Sequence, residues 1–531
     1  MRLLETTSLW CFLAAHAQAK YVWPAKTDFL EDLYAMQSGT IRFGFTDLVV
    51  PCGFNSNELG RQLAAEWIRT VFHDTITHDK AKGTGGLDAS IMFETHRDEN
   101  KGAAFNHTLS ELHEFVSPRS SGADMLALSL VASVASCGGQ KVPLRMGRID
   151  ATQAGQAGVP KPEHKLNSAM AAFTKAGFTQ QEMIALVACG HTVGGVHSTE
   201  NPQIAGGKPS PSNKPKFDST STEFDNVVVK EYLSSNGANP LVFGRNETTN
   251  SDKRIFGSDK NVTMTKMKDP QTFQKTCATV FERLINTVPS AVQLSEPIEL
   301  VDVKPYVDKL EPAAKPSRIA FEGKVRVRTS KSTGRDPDTL QVSLSVLTKN
   351  NKRTTVKASR MLGGGQSFGF FDEVFTWYQF ATEFDASAGL QAFDIHLQSG
   401  KAKEVVLNNQ GGGYPLQDKL VFVQSKSCLD SNVHEGNLTV TIEAAVRNDA
   451  IVKNQAPVIQ MAHKISQPGA VLPRISIQPS QMKVVKAKAS PNYTHYTTNI
   501  NINANEATTT FDIQYGSLKS EFHWTNRLDS C

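Results

Sequence analysis

After its first twenty residues the sequence holds no run of 18 consecutive apolar residues, so no helical membrane span is expected. It has no basic block either. Lys and Arg outnumber Asp and Glu only 56 to 52, which argues against nucleic acid as the main partner. The glycine runs Gly363–Gly365 and Gly411–Gly413 are not followed by Lys-Ser or Lys-Thr, so they imply no phosphate cradle. No internal repeat is evident, and cysteine is sparse, seven in 531 residues. A chain of this length predicts more than one domain.

Met1-Arg2, an apolar run from Leu9 to Ala15 and a small-x-small site at Ala17-Gln18-Ala19 read as a signal peptide over 1–19, cut before Lys20. A buried N-terminal helix is the alternative, and Glu5 is an atypical intrusion. The expected location is therefore secreted and extracellular. Cys11 falls in the leader. The other six cysteines form an even set, which favours disulfides in a secreted chain. Glycosylation triplets at Asn106, Asn246, Asn261, Asn437 and Asn492 agree with secretion.

The stretch from about Leu59 to Thr75 predicts a helix, with Leu63, Trp67 and Val71 as its apolar stripe. Arg69 and His73 are four apart and share a face, with Phe72 beside them. Alone, such a pair is more often a surface pair than a site. A second stretch, from Glu182 to Thr192, reads as a buried helix ending at a histidine, His191. A third, Gly85-Gly86-Leu87-Asp88-Ala89-Ser90, follows His73-Asp74 after a short polar loop.

In this order and spacing R-x-x-F-H-D, A-C-G-H-T and G-G-x-D-x-S resemble the plant and fungal haem peroxidase superfamily, specifically its secreted fungal branch, over about Val50 to Leu284. The resemblance implies one haem b with His191 as its axial ligand. It makes neutral His73 the group that shifts a proton between the oxygens of hydrogen peroxide. Arg69 would stabilise charge on the departing oxygen. Asn100, in E-x5-N-x-G, matches the asparagine that holds the distal histidine's other nitrogen, with Asn106 as rival. Phe72 and Phe217 stand where the intracellular branch has tryptophan.

Two calcium ions are also implied, each wanting hard oxygens. Asp74, Gly86, Asp88 and Ser90 would form the distal site. Thr192, Asp218, Thr220, the Glu223 carbonyl and Asp225 would form the proximal one. Without the resemblance, the second set is an ordinary Asp/Ser/Thr turn. Arg148, in Gly147-Arg148-Ile149-Asp150, resembles the segment beside the haem propionates, with a plain turn as alternative. Asp259 is taken as acceptor of the proximal imidazole N–H. Asp252 is the runner-up, because Ile255-Phe256 better anchors Asp259. The family bridges Cys52–Cys137; Cys189–Cys277 and Cys428–Cys531 follow from domain proximity. Ser121 reads as the N-cap of an apolar helix to about Ser136, with Asp124 reaching back.

From Pro289 the composition shifts. Pro297, Pro305, Pro312 and Pro316 punctuate a linker over 289–318, and period-two runs such as Val342–Val346 and Leu438–Ile442 read as half-buried strands. The expected plan is a mainly helical haem peroxidase domain over 20–288, the linker, and a β-rich, sandwich-like accessory region over 319–531, in one part or two. The resemblance does not reach that region. Contact with carbohydrate or a cell wall is one reading of it; a structural cap on the enzyme is the plainer one.

The implied activity is that of a haem-dependent peroxidase. It would use hydrogen peroxide to oxidise small phenolic or aromatic-amine donors in one-electron steps through a ferryl haem intermediate. Manganese-oxidising members carry three acids where this chain has Gln62, Glu66 and His197, a set that Mn(II) should bind poorly. Leu186 stands where lignin-oxidising members carry a surface tryptophan. The rival class is a secreted structural or adhesive glycoprotein on a peroxidase fold with little activity. A hydrolytic metal site at His73, Asp74, His78 and Asp79 is a third reading, and it leaves Arg69 and His191 unexplained.

Overall fold

The computed structural model describes residues 21–54, 61–489 and 491–531. The leader and the expected helix start at Leu59 lie outside the described residues. Helix α1 (Asp28–Ala35) comes first, followed by α2 (Leu63–Thr75), α3 (Ala104–Leu112), α4 (Gly122–Ser136), α5 (Leu166–Ala176) and α6 (Gln180–Gly190). The stripe of Leu63, Trp67 and Val71 is buried, and α2 packs on α3 and α4. Helix α4 is apolar on all sides and buried from Gly122 to Val134, as a central core helix should be. Ser121 Oγ accepts the Asp124 N–H at 3.0 Å, but the Asp124 carboxylate turns instead to Gly147 and Arg148. Thr179 and Glu182 form a capping box that starts α6, and α6 packs on the helix Pro270–Ile285.

Disulfides join Cys52–Cys137, Cys189–Cys277 and Cys428–Cys531. The first ties the chain before α2 to the C-cap of α4. The second fastens the last turn of α6 to the helix Pro270–Ile285.

The stretch expected as a linker contains a strand, Val303–Pro312, which pairs with Arg318–Arg328. Beyond it the described residues are β-rich, with two main cores. One gathers Val303, Phe321, Leu344 and Phe393; the other gathers Val440, Ile442, Met461 and Phe511. One sheet serves both cores. On its strand Leu420–Phe422, Val421 faces the first core and Leu420 the second. On the strand Asn437–Arg447, Ala445 and Ala444 divide the same way.

Segment 28–39 also departs from the expected boundaries, because it joins the β-rich region. Ser38–Gly39 pairs with the strand Gln366–Phe368. In α1, Glu31 and Asp32 are buried against Lys304 and Arg326. Arg119 over Phe522 (4.3 Å) and His113 with Glu506 (2.9 Å) link the helical region to the second β core.

Candidate active site

A cavity of about 590 Å³ opens between α2 and α6. Arg69, Phe72 and His73 line it from α2, and Leu186, Val187, Gly190 and His191 from the end of α6. His191 is the C-cap of α6, so its position follows from where that helix stops. Phe217 stacks on the His191 ring, centroids 4.2 Å apart at 16°.

The two histidines are held at the same atom by different chemistry. His73 Nδ1 lies 2.8 Å from Asn100 Oδ1. Asn100 is fully buried, and its Nδ2 donates to the Glu94 carbonyl at 3.0 Å. The Asn100 amide oxygen is therefore the atom facing His73, Nδ1 carries the proton, and Nε2 is an unprotonated acceptor turned to the cavity. His191 Nδ1 lies 2.8 Å from Asp252 Oδ2, a carboxylate, which likewise leaves Nε2 toward the cavity.

Burial, and then Arg69, hold His73 down at about 3, so it stays neutral. Burial lowers Arg69 to about 10, which keeps it charged at neutral pH. Its guanidinium lies 4.6 Å over Phe105 and donates to the Lys101 carbonyl at 3.1 Å.

Two sequence expectations are corrected. Asp252, not Asp259, accepts from His191. Asp252 is fully buried in the first turn of the short helix Ser251–Phe256. Asp259 instead accepts the N–H and hydroxyl of Thr263 at 2.9 and 2.6 Å, starting the next helix. Arg148 does not line the cavity. Its buried guanidinium is taken up by Asp124 Oδ1 at 2.9 Å and the Ile285 carbonyl at 2.7 Å, tying α4 to the helix Pro270–Ile285. Asn239 was missed altogether. It donates to the Asp252 oxygen that His191 uses, at 3.1 Å, and no motif in the sequence marks it.

The expected calcium residues fall in two clusters. Asp74 Oδ2 accepts the N–H groups of Asp88 and Ala89 at 3.0 and 2.8 Å, and Ser90 Oγ lies 3.4 Å from Oδ1. The Gly86 carbonyl accepts the Asp88 N–H at 2.8 Å. Thr192 Oγ1 donates to the Asp225 carbonyl at 2.6 Å, and Thr220 Oγ1 to Asp225 Oδ1 at 3.0 Å. Glu223 is exposed, with its N–H on the Thr220 carbonyl. Burial, and then the neighbouring carboxylate, push Asp74 well up and Asp218 to about 7. Buried like charges drawn together in this way are what a divalent cation would relieve, and the donors are all oxygen. Among the described residues, no group of three or more His, Cys, Asp or Glu side chains is arranged to hold a metal. A cation at either place would rely on hydroxyl and carbonyl oxygens as well.

Helices that bring two histidines and an arginine to one cavity define the class. Residues 54–281 match the family model described as Peroxidase, and this segment is a peroxidase domain of the haem peroxidase superfamily. Beyond that, a WSC domain-containing protein of Arthroderma benhamiae is 38% identical over 414 residues, 76% of this chain and 57% of its own length. The peroxisomal L-ascorbate peroxidase 5 of Arabidopsis thaliana is 34% identical over 139 residues, 26% of this chain and 50% of that protein. A mitochondrial cytochrome c peroxidase of Cryptococcus neoformans var. grubii is 33% identical over 147 residues, 25% and 37%. The chain thus spans between 37% and 57% of the length of these relatives.

Proposed function

We propose that this chain is a secreted haem peroxidase that uses hydrogen peroxide to oxidise small phenols or aromatic amines. One observation carries the reading: two histidines line one cavity, one held by an amide oxygen and the other by a carboxylate. The cavity volume of about 590 Å³ falls in the range of roughly 300–1,000 Å³ usual for small-molecule and cofactor sites. Both Nε2 atoms face it, so the residues present fit a haem. Bound there, haem would supply a redox-active iron with a coordination position for peroxide.

His191 would hold the iron through Nε2. The Asp252 carboxylate makes that imidazole a stronger donor. His73 has the opposite task. It is neutral, its Nδ1–H is fixed by Asn100, and Nε2 is free to take a proton from the nearer peroxide oxygen. The O–O bond would break with its electron pair on the farther oxygen, His73 would return the proton there so that water leaves, and Arg69 would stabilise the charge gathering there, with bound haem supplying the two electrons this takes. Asp74, Gly86, Asp88 and Ser90 would hold one calcium ion, and Thr192, Asp218, Thr220, Glu223 and Asp225 the other. Asp74 adjoins His73 and Thr192 adjoins His191, so each ion would steady one side of the cavity.

The donor reading rests on the cavity rim. Arg61 already takes both oxygens of Glu66, at 3.0 and 2.7 Å, and Gln62 Nε2 donates to the Ser221 carbonyl at 3.0 Å. That leaves little for Mn(II), which prefers several free hard oxygens. Leu186 is buried and cannot relay an electron from a bulky donor. Three disulfides and phenylalanine at 72 and 217 support the secreted branch. The test is an absorption spectrum of the chain supplied with haem, followed by turnover with peroxide and a simple phenol. A Soret band with saturable phenol oxidation is expected. No Soret band would overturn the reading in favour of a structural glycoprotein, and efficient Mn(II) oxidation would overturn the donor assignment.

A further inference from the structure

Arg69 and His73 share a neighbour as well as a cavity. Phe105, the second residue of α3, is fully buried and does not itself line that cavity. The Arg69 guanidinium carbon lies over its ring, 4.6 Å from the centroid. The His73 ring lies 4.8 Å from the same centroid, tilted at 53°. Arg69 and His73 stand four apart on α2, so one ring on the helix packed against α2 can touch both.

The ring completes a set of holds that one short stretch of chain supplies. Asn100 Oδ1 takes His73 Nδ1 at 2.8 Å, and the Lys101 carbonyl takes Arg69 Nη2 at 3.1 Å. Gly102 follows with φ at 99°, a left-handed value that turns the chain toward α3 and Phe105. That hydrogen bond joins Arg69 to a neutral carbonyl, and among the described residues Arg69 has no ion pair. The π face of Phe105 is therefore the negative surface on which its charge rests, well inside the roughly 6 Å reach of a cation–π contact.

We propose that Phe105 is a positioning residue for the peroxide reaction: its ring face holds the Arg69 guanidinium at a fixed place beside His73. This inference rests on the function proposed above. One hydrogen bond lets a guanidinium pivot about the bonded nitrogen, and the ring face removes that freedom. The same ring abuts His73, so one rigid plane sets the spacing between the group that shifts the proton and the charge that backs it. A side chain that only filled space would offer no negative face, and by that difference positioning and packing are told apart.

The experiment compares the full chain with Phe105→Leu and with pentafluorophenylalanine at position 105, which nearly keeps the ring's shape and reverses the charge of its face. In the chain without haem, NMR of isotope-labelled arginine reads the Arg69 side-chain N–H. Its signal should stand upfield in the unaltered chain, shifted by the ring beneath it, and lose that shift in both variants. In the haem-loaded chain both variants should keep the Soret band and react with peroxide about two- to thirty-fold more slowly. The pentafluoro variant keeps the test decisive should Phe105→Leu fail to fold. If it retains the Arg69 shift and the peroxide rate, the ring only fills space and the proposal falls. A lost shift with an unchanged rate would also overturn it, because Arg69 would then need no hold. An unaltered chain with no Soret band would overturn the function proposed above and this role with it; a normal Soret band with unchanged peroxide rates would overturn this role alone.

Discussion

The helical and β-rich regions each contain a histidine–carboxylate pair of the same length. His191 Nδ1 lies 2.8 Å from Asp252, and His495 Nδ1 lies 2.8 Å from Glu443. The difference is at the other nitrogen. The His191 side chain is 30% exposed, toward a cavity that Arg69 and His73 also line. The His495 side chain is 11% exposed and does not line that cavity. Other buried charges of the β-rich region close on one another in the same way, as Arg447 does on Asp418 at 2.6 Å. A pair by itself is therefore structural chemistry; a pair with one end left open to a cavity is a place for a ligand.

The largest test of that contrast exchanges each histidine for alanine. His191→Ala should abolish the Soret band of the haem-supplied chain and bring turnover down to background. His495→Ala should leave both intact and lower stability by about 1–3 kcal/mol, because Glu443 is left buried and unpaired. A His191→Ala protein that takes up haem and turns over normally would break the comparison.

Next comes His73. His73→Ala should retain haem and slow the reaction with peroxide by roughly 10²–10⁴-fold. Stopped-flow mixing measures this directly. Burial and Arg69 hold His73 at about 3, below the ordinary 6.5. The fold therefore favours the neutral form. It should lose stability as pH falls from 6.5 toward 3, with no contribution from this group above that window. The peroxide reaction should keep its rate down to about the same lower limit. Arg69→Leu removes one of the two causes, so the acid limb should move to higher pH; an unmoved limb would show that Arg69 does not act on this histidine.

On the β-rich side the matching change is Lys304→Met. Lys304 Nζ meets Asp32 Oδ1 at 2.8 Å, Glu31 Oε2 at 3.0 Å and the Asp28 carbonyl at 2.9 Å, and Lys304, Glu31 and Asp32 are all buried. Losing the cation should cost about 3–5 kcal/mol, seen as a lower urea midpoint. The haem spectrum and turnover should hold. A coupled loss of both would mean the two regions are not separable.

What the sequence showed and what it hid divide on physical lines. Arg69, Phe72 and His73 were legible as a group because one helix presents them together, and His191 because it ends another. The sequence ranks Asp259 above Asp252 by its apolar neighbours, and the ranking fails because the carboxylate turned inward is the one in the first turn of Ser251–Phe256, while Asp259 is taken by Thr263. Arg148 looked available until Asp124 and Ile285 were seen to saturate it. Nothing in the sequence marks Glu31 and Asp32, whose partners Lys304 and Arg326 lie some 270–295 residues away along the chain. Prolines at 305 and 312 disguised a strand that a sheet edge tolerates.

The smallest expected effect concerns Asn239, which sharpens what the open end of the His191 pair is for. Asp252 Oδ2 accepts from His191 Nδ1 at 2.8 Å and from Asn239 Nδ2 at 3.1 Å, while Ser251 Oγ lies 3.2 Å from Oδ1. The Asn239 amide is fixed in this sense because its Oδ1 accepts the Leu241 N–H at 2.8 Å. An oxygen shared by two donors is a weaker acceptor for each, so Asn239 draws negative charge away from the imidazole. Asn239→Leu keeps the volume and removes that donor. His191 should then face a more basic carboxylate and become a stronger donor to iron. The ferric–ferrous midpoint potential of the haem-loaded chain should shift to more negative values, with haem content unchanged. Spectroelectrochemical titration reads the shift independently of turnover. A potential that stays put or rises would mean that Asn239 only packs beside Asp252 and does not tune it.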